Sequence, residues 1–367
     1  MQRRSFLQRA GVGLALAAPT VAQAQVQVQA QPTIHWRLAS SFPKSLDALY
    51  GAGDHFAKRV AQLTGNRFQI RAFAAGELVP PLQVLDAVQN GTVECGHTAS
   101  YYYVGKHPAF AFDTTLPFGL NARQQNAWMY EGGGIPLLRE LFAQYGCLQF
   151  PAGNTGAQMG GWFRKEVKSL AELQGLKFRI AGIAGQVLAK LGVVPQQISG
   201  SDIYQSLERG TIDAAEWVGP YDDEKLGFVK VAPYYYYPGF WEGSAQLSIL
   251  VNAQKWNELP SEYRAAVEVS AAETNVLMNA QYDTRNPAAL RKLVGAGAQL
   301  RAFPRPVMEA AYKAAFELYD DLARRDPLFR KIYESWRRYR DEAYLWFRVA
   351  EQTADSFVYA QSRRRKK

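Results

Sequence analysis

VLDAVQNGTVECG, residues Val84–Gly96, is echoed later in the chain by IYQSLERGTIDAAEW, residues Ile203–Trp217. Both stretches have the pattern of a short helix that ends at a glycine. A threonine, a β-branched residue and an acidic residue follow the glycine, and a predicted strand comes next. Gly91 and Gly210 stand where a helix end favours the left-handed conformation, and the threonine after each glycine is expected to open a strand. Two equivalent helix-to-strand corners predict two similar lobes, although Gly-Thr after a helix also recurs by chance.

The sequence around these corners alternates between strand and helix patterns, which is typical of α/β proteins. TIHWRLAS (Thr33–Ser40) and FQIRAF (Phe68–Phe73) are predicted strands, and Leu46–Leu63 between them is a predicted helix. The predicted fold class is therefore α/β with two lobes. Ligands of open α/β sheets bind at the carboxyl ends of the strands, so we expect a ligand in the cleft between the lobes.

The first 24 residues have the layout of an export signal. Arg3 and Arg4 precede a short apolar run from Ala10 to Ala18, and the triplet Ala22–Ala24 supplies a cleavage site. Paired arginines followed by Ser, Phe and Leu indicate the twin-arginine route. An ordinary helix or a membrane anchor is the alternative, but the run is well short of the roughly 20 residues that span a bilayer. We predict that residues 1–24 are a signal peptide.

The formal net charge of +9 does not indicate a nucleic-acid partner. Three positive charges (Arg3, Arg4 and Arg9) lie in the predicted signal and five more end the chain, which leaves the body close to neutral. A neutral body lacks the basic face that phosphate backbones require, so no nucleic acid is expected to bind. The basic tail, residues 362–367, is interpreted as a solvated end, with contact to anionic lipid as the alternative.

The sequence contains two cysteines, Cys95 and Cys147, and both lie in apolar, strand-like stretches. They are expected to form either one bridge or two buried thiols. No cysteine cluster or repeated histidine spacing in the sequence indicates a zinc site.

Several segments, in order along nearly the whole mature chain, resemble the substrate-binding subunits of tripartite ATP-independent periplasmic (TRAP) transporters. They include WRLASSFPKS (Trp36–Ser45), NTGAQMGGWFRKEV, LGVVPQQISGSDIYQSLERGTIDAAEWVG and VAPYYYYPGFWEG. The resemblance is closest to the subgroup that binds α-keto acids and related monocarboxylates. It implies a periplasmic protein with a two-lobed cleft, an arginine that holds the ligand carboxylate, a cation beside it, and transporter membrane subunits as partners.

We divide the chain accordingly into lobes and terminal segments. After the signal come 25–150 as the first part of lobe I, 151–243 as lobe II, 244–306 as a return segment that completes the lobes, 307–361 as C-terminal helices, and 362–367 as the basic tail.

Arg179 is the candidate carboxylate clamp. It lies in the strand-like stretch LKFRI, where Phe178 and Ile180 are expected to pack into the lobe while Arg179 faces the opposite side. A guanidinium offers a carboxylate two parallel hydrogen bonds, which an ammonium does not. On the residues alone a surface salt bridge is an equal alternative, and the resemblance favours the clamp.

The resemblance also implies the cation ligands: Gln158, Glu216 and the carbonyl of Trp217, with the substrate carboxylate completing the shell. Glu242 is expected to be a further ion ligand or an acceptor for the substrate, and Gln158 and Trp217 are expected to contact the substrate as well. Amide, carboxylate and carbonyl oxygens suit hard cations such as Na⁺ or Ca²⁺. The excess of negative charge slightly favours Ca²⁺, although a proton on Glu242 would have the same effect.

Aromatic residues are expected to enclose the substrate. Tyr102 follows a predicted strand end, and Phe42 lies in a loop beside the presumed cleft. A phenol hydroxyl can hydrogen-bond a keto or hydroxyl oxygen while the rings close over a short aliphatic chain. We therefore add Tyr102 and Phe42 to the candidate substrate-binding residues.

The chain from Val307 to Gln361 reads as helix with a break near Pro327. Seven apolar residues recur there at helical spacing: Phe329, Ile332, Tyr333, Trp336, Ala343, Phe347 and Ala350. This long C-terminal helix is expected to pack across its own lobes or, as the resemblance allows, to be exchanged between protomers of a homodimer.

Two other kinds of protein are alternatives to a transporter subunit. An exported enzyme acting on small carboxylates would need a nucleophile beside a base, yet the sequence has no G-x-S-x-G elbow and its four histidines stand in no triad context. A ligand-sensing binding protein that feeds a receptor would use the same ligand site. We expect a non-enzymatic solute-binding protein.

Overall fold

The structure is a computed structural model that describes residues 31–364. The predicted signal peptide and the last three residues of the basic tail, 365–367, lie outside these residues. The strands are β1 (Ile34–Ser40), β2 (Phe68–Phe73), β3 (Cys95–Thr98), β4 (Cys147–Asn154), β5 (Gly161–Phe163), β6 (Lys177–Arg179), β7 (Val194–Gln196), β8 (Ala214–Ala215), β9 (Tyr234–Tyr237), β10 (Gln246–Asn252) and β11 (Gln299–Ala302).

Thirteen α-helices are described in residues 31–364. They are α1 (Leu49–Leu63), α2 (Val84–Gln89), α3 (Ala111–Thr114), α4 (Ala122–Tyr130), α5 (Gly134–Ala143), α6 (Ile183–Ala189), α7 (Ile203–Glu208), α8 (Pro220–Leu226), α9 (Ala253–Asn257), α10 (Ser261–Gly295), α11 (Arg305–Arg325), α12 (Pro327–Phe347) and α13 (Thr353–Arg364). Of these, α10 is the longest, followed by α11 and α12.

Two mixed sheets organise the chain, and we call the halves built on them lobe I and lobe II. Sheet 1 has five strands in the order β2-β1-β3-β10-β4, and sheet 2 has six in the order β11-β9-β5-β8-β6-β7. β1 runs parallel to β2 and β3, whereas β10 is antiparallel to both of its neighbours. The predicted α/β, two-lobed fold class is confirmed, while the residue boundaries assigned to the lobes stay a prediction.

The two corners that suggested a duplicated lobe have the same backbone geometry. Gly91 and Gly210 both have φ of 71°, which lies in the left-handed region. A helix can end in this conformation at little cost when the residue is glycine, because glycine has no Cβ. β3 and β8 belong to different sheets, as two equivalent lobes require. The expectation that a strand opens at each threonine is wrong, since β3 begins at Cys95 and β8 at Ala214.

The late start of these strands follows from how each helix ends. The backbone N–H of Val93 donates to the carbonyl of Ala87, and that of Ile212 donates to Ser206, each at 3.3 Å. These bonds fold the chain back over the last helical turn, and the side chains of Val93 and Ile212 are buried there. The residues after the glycine therefore complete the helix cap before the strand begins.

Three connections carry the chain between the sheets. We call residues 155–160, between β4 and β5, the first crossover, and residues 238–245, between β9 and β10, the second crossover. They lie side by side, because Thr155 N–H donates to Ala245 O at 3.0 Å and Gln158 N–H donates to Glu242 O at 3.1 Å. The third connection runs from β10 through α9 and α10 to β11.

The return segment contains a helix that the sequence analysis did not identify. α10 is 35 residues long, includes Pro287, and packs against β4 and α1 of lobe I and against α8 of lobe II. Its length lets one rigid element contact both lobes.

The C-terminal region is helical, as predicted, with a break at Asp326 and a π-helical turn at Arg348–Gln352. The first part of the apolar face is buried against the body of the protein, including Phe329, Ile332 and Trp336. Beyond Ala343 the pattern changes, and six large apolar side chains are exposed: Leu345, Trp346, Val349, Phe357, Val358 and Tyr359.

Cys95 and Cys147 are buried free thiols, so the structure has the second of the two arrangements left open by the sequence.

No helix in the part of the chain that the structure describes combines the length and the apolar character needed to cross a membrane.

Candidate functional site

Polar side chains from sheet 2 and from both crossovers meet beside one narrow cavity. Arg179 is the last residue of β6, which pairs in parallel with β8, and Glu216 and Trp217 follow β8 directly. Gln158 lies in the first crossover and Glu242 in the second. The site therefore lies at strand ends and at the connections between the lobes, where ligands of open α/β proteins bind.

Arg179 is fully buried and its hydrogen bonds reach three protein oxygens. Nη1 donates to the carbonyl oxygen of Glu216 at 2.6 Å and to its Oε2 at 2.8 Å, and Nε donates to the carbonyl of Ile198 at 3.1 Å. The ring of Trp217 lies 5.0 Å from the guanidinium carbon. Arg179 thus has its counter-charge inside the protein.

The ionisable side chains of the site, Arg179, Glu216 and Glu242, are buried. Burial raises the pKa of Glu216 to about 8, with Arg179 opposing the shift and the negative charge of Asp223 adding to it. Burial, and then the charge of Glu216, raise the pKa of Glu242 well above its ordinary value. Burial alone would lower the pKa of Arg179, but Glu216, Glu242 and the two neighbouring tyrosines together outweigh it, and the net direction is upward. Burial therefore favours the neutral form of both carboxyl groups, whereas the guanidinium of Arg179 favours the ionised form of each.

Four buried oxygens of the site have no hydrogen-bond partner among residues 31–364. They are Oε1 of Gln158, Oε1 of Glu216, and Oε1 and Oε2 of Glu242. Buried oxygens without a donor are costly, and hard cations such as Na⁺ and Ca²⁺ take this type of ligand. Within the same described residues no group of three or more His, Cys, Asp or Glu side chains could hold a metal, so amide and carbonyl oxygens have to contribute. The donor set fits a hard cation.

Aromatic and apolar side chains form the wall of the cavity on the side of lobe I. The space between the walls, including its opening to solvent, is about 250 Å³. The residues that line the whole cavity, from both lobes and both crossovers, are Phe42, Leu49, Ala99, Tyr101, Tyr102, Thr155, Gln158, Trp217, Val218, Ala245 and Leu247. Burial raises the pKa of Tyr102, while the nearby guanidinium of Arg179 partly offsets the shift. Both hydroxyls of the Tyr101–Tyr102 pair are therefore neutral donors.

The structure brings the predicted substrate-binding residues and cation ligands into one region, but only some of them line the cavity. Phe42, Tyr102, Gln158 and Trp217 are lining residues, whereas Arg179, Glu216 and Glu242 are not, and Glu242 borders a neighbouring pocket together with Gln158. Tyr101 is a lining residue that the sequence analysis passed over, although it stands beside Tyr102 in the run of three tyrosines. It adopts a 3₁₀ turn with its neighbours, and the side chains in such a turn do not alternate as in a strand. Its hydroxyl is close enough to Glu242 to oppose, with Arg179, the upward shift of the Glu242 pKa, although no hydrogen bond of ordinary length joins the two groups.

Two sheets joined by paired crossovers, with polar groups converging on a cavity at the crossovers, define a bilobed solute-binding protein of the periplasmic type. Residues 39–326 match the sequence profile of the bacterial extracellular solute-binding proteins, family 7, and the chain belongs to this family, which supplies the solute-binding subunits of TRAP transporters.

Relatives agree with this assignment over nearly the full length. A monocarboxylate 2-oxoacid-binding periplasmic protein of Nostoc sp. is 50% identical over 361 residues, covering 98% of this chain and 99% of the relative. A TRAP transporter solute-binding protein of Bordetella bronchiseptica has a TM-score of 0.90 and 55% identity, covering 91% of this chain and 99% of that one. Its crystal structure is a mixed-occupancy dimer with copurified calcium and picolinate in one active site and an apo site in the other.

A further solved structure, the TRAP periplasmic solute-binding protein of Pseudoalteromonas atlantica, holds sodium and pyruvate. It has a TM-score of 0.86 and 40% identity, covering 88% of this chain and 99% of that chain. The similarity of these proteins to the present chain extends over both sheets and the crossovers.

Proposed function

We propose that this protein is the periplasmic subunit of a TRAP transporter that captures a small 2-oxo or 2-hydroxy monocarboxylate, such as pyruvate, together with a cation. The single observation that supports the proposal best is the set of four buried, unpartnered oxygens beside Arg179, counted over residues 31–364. A cation and a carboxylate would satisfy these groups together. The relatives that bind 2-oxoacids, pyruvate or picolinate with sodium or calcium support the same ligand class.

In the proposed complex Arg179 donates to the ligand carboxylate, and Gln158, Glu216 and the carbonyl of Trp217 ligate Na⁺ or Ca²⁺. Glu242 is a further ligand or accepts from a ligand hydroxyl. The cation neutralises the carboxylates as their protons leave, so that the negative ligand is not placed beside uncompensated charge. Tyr102 and Phe42 cover the short aliphatic part of the ligand.

Binding of ligands to the exported protein tests the proposal. Titration calorimetry with pyruvate, 2-oxobutyrate, lactate and succinate, each with Ca²⁺, with Na⁺ and with a chelator, should show that the monocarboxylates bind and succinate does not. Tighter binding of succinate would reveal a second cationic group and contradict the ligand class. Following pyruvate by NMR in the same samples should show no turnover, and consumption of the ligand would favour the exported enzyme instead.

We further propose that the protein forms a homodimer through its C-terminal helices. The support is the exposed apolar side chains of the last two helical segments, Trp346 and Phe357 among them, which are about two-thirds exposed at 63% and 66%. Contiguous exposed apolar surface marks interaction sites. Light scattering should give a dimer for the mature protein and a monomer for the Trp346→Ser, Phe357→Ser variant, whereas a monomeric parent protein would refute the proposal.

A further inference from the structure

An ionic cluster joins the two lobes beside the cavity. Asp47, in the loop between β1 and α1, accepts from the Tyr221 hydroxyl with its Oδ2 at 2.9 Å and from Arg285 Nη1 at 3.1 Å. Lys225 Nζ also donates to the carboxylate of Asp47. Tyr221 and Lys225 belong to α8 of lobe II, and Arg285 belongs to the half of α10 that packs on α8. A single carboxylate of lobe I thus contacts two side chains of lobe II and one of α10, the helix that packs against both lobes.

Both ends of this cluster are close in sequence to the walls of the cavity. Asp47 stands between Phe42 and Leu49, which line the cavity from lobe I. On the other side α8 begins three residues after Trp217, and Trp217 and Val218 line the cavity from lobe II. A movement that separates these walls has to break the contacts of Asp47.

The lobe II side of the cluster is positively charged and already ordered. The ring of Tyr221 has Lys225 Nζ at 3.5 Å and the guanidinium carbon of Arg285 at 5.0 Å from its centroid. The Tyr221 N–H donates to Asn286 Oδ1 at 3.0 Å, which ties α8 to α10. Lys225 and Arg285 repel one another, so the negative charge of Asp47 is a favourable partner that they have only when the lobes are together.

Asp47 is ionised in this arrangement. Burial raises the pKa of Asp47, but hydrogen bonds from Lys225 and Tyr221 outweigh it and the net direction is downward. About half of the side chain is exposed, at 54%, so salt screens the interaction.

We propose that Asp47 is a closure residue, which holds lobe I to α8 and α10 and slows the escape of ligand from the closed cleft. The inference rests on the proposed function only in the choice of ligand. Asp47 itself is a positioning residue, because it acts through the lobes and does not line the cavity.

The test compares Asp47→Asn with Asp54→Asn. Asp54 pairs with Lys58 at 2.6 Å within α1, so the control removes the same charge from an ion pair that does not cross the cleft. Stopped-flow tryptophan fluorescence with pyruvate and Ca²⁺ should show dissociation of ligand about three- to thirtyfold faster for Asp47→Asn. The control should match the parent protein. Added salt should accelerate dissociation from the parent protein but not from Asp47→Asn, and equal dissociation rates in the two variants would overturn the proposal.

A second measurement needs no ligand. Spin labels at Gln89→Cys and Glu208→Cys report the distance between lobes, since both positions are exposed ends of the equivalent helices α2 and α7. Pulsed electron resonance of the ligand-free protein should show more of the long, open distances after Asp47→Asn, and an unchanged distribution would contradict closure by Asp47. If the parent protein fails to bind pyruvate, the proposed function is wrong, whereas the spin-label comparison still decides the role of Asp47.

Discussion

Replacing Arg179 by lysine keeps the positive charge of the site but removes the planar fork, and we expect it to abolish most of the ligand affinity. Arg179 makes three hydrogen bonds to protein oxygens, two to Glu216 and one to the carbonyl of Ile198. An ammonium in the same place can stay beside Glu216. It cannot reach Ile198 and a ligand carboxylate at the same time.

The magnitude follows from the bonds that are lost. One charged hydrogen bond to the ligand contributes on the order of 1.5 to 3 kcal/mol, which is roughly a tenfold to more than a hundredfold change in Kd. The fold should survive, because the buried charge of Glu216 keeps a partner. Removing that partner entirely, as in Arg179→Met, costs up to about 3 to 5 kcal/mol for a buried pair. The raised pKa of Glu216, about 8, reduces this cost because its carboxyl can take up a proton instead.

The assay is calorimetric titration of pyruvate at saturating Ca²⁺, with thermal unfolding by circular dichroism on the same samples. Arg301→Lys is the matched control, because Arg301 is an arginine of sheet 2 that pairs with Glu166 at the exposed edge, away from the cavity. We expect the control to bind pyruvate normally. Unchanged affinity in folded Arg179→Lys would show that Arg179 does not contact the ligand.

Three further predictions concern the ion, the buried carboxyl groups and the corners. Gln158→Ala and Glu216→Gln should weaken both Ca²⁺ and pyruvate binding in calorimetry, and a loss of only one affinity would refute their linkage. The pKa values of Glu216 and Asp222, about 8 and 7, lie above those of unfolded chains, so the folded protein binds more protons. Without cation its melting temperature should therefore fall from pH 5 to pH 8, and Ca²⁺ should restore stability at pH 8; a flat profile would contradict these pKa shifts. Gly91→Ala should cost about 1 to 2 kcal/mol in urea unfolding, because φ is 71° there, whereas Gly105→Ala, with open space and ordinary φ, is the neutral control.

The local elements of the fold could be predicted from sequence because their signals are short-range. β2 occupies the predicted residues Phe68–Phe73, and β1 begins one residue inside the predicted strand. α1 begins at Leu49 instead of Leu46, since Leu46 takes part in a turn whose N–H donates to the carbonyl of Pro43. Leu46 is buried in that turn, so the apolar spacing of the helix starts before its hydrogen bonds do.

The strand order could not be predicted in the same way. β10 inserts between β3 and β4 after the chain has passed through sheet 2, and nothing in its own seven residues specifies these partners. The same holds for the contact of α10 with both lobes, which depends on packing between segments far apart in sequence. Local patterns therefore predicted the class and the corners, while pairing between distant segments decided the rest.

In the candidate site, too, local patterns predicted the residues, and long-range strand pairing determined how they are arranged. Residue types and the family resemblance identified Arg179 and Glu216, but as members of separate groups, a clamp and an ion ligand. The structure pairs them across the parallel strands β6 and β8, because the register sets Arg179 opposite Ala215, the residue before Glu216. Register is a long-range property, and it changes the expected chemistry: the fork of Arg179 is largely engaged before a ligand arrives.

This pairing explains why cation and ligand should bind together. Burial raises the pKa of both glutamates, Arg179 is their positive neighbour, and Oε1 of Gln158 and both carboxylate oxygens of Glu242 have no hydrogen-bond partner among the described residues. In the proposed complex a cation would be held by these oxygens, and a ligand carboxylate would supply a further oxygen to the cation and accept from Arg179. Gln158 and Glu242 belong to the two crossovers, which are hydrogen-bonded to each other at 3.1 Å, so the ion would bind where the lobes are joined. Ion binding, ligand binding and closure of the cleft are thus expected to be coupled, so that each of them makes the other two more favourable. Asp47 would contribute to this coupling by holding the cleft closed.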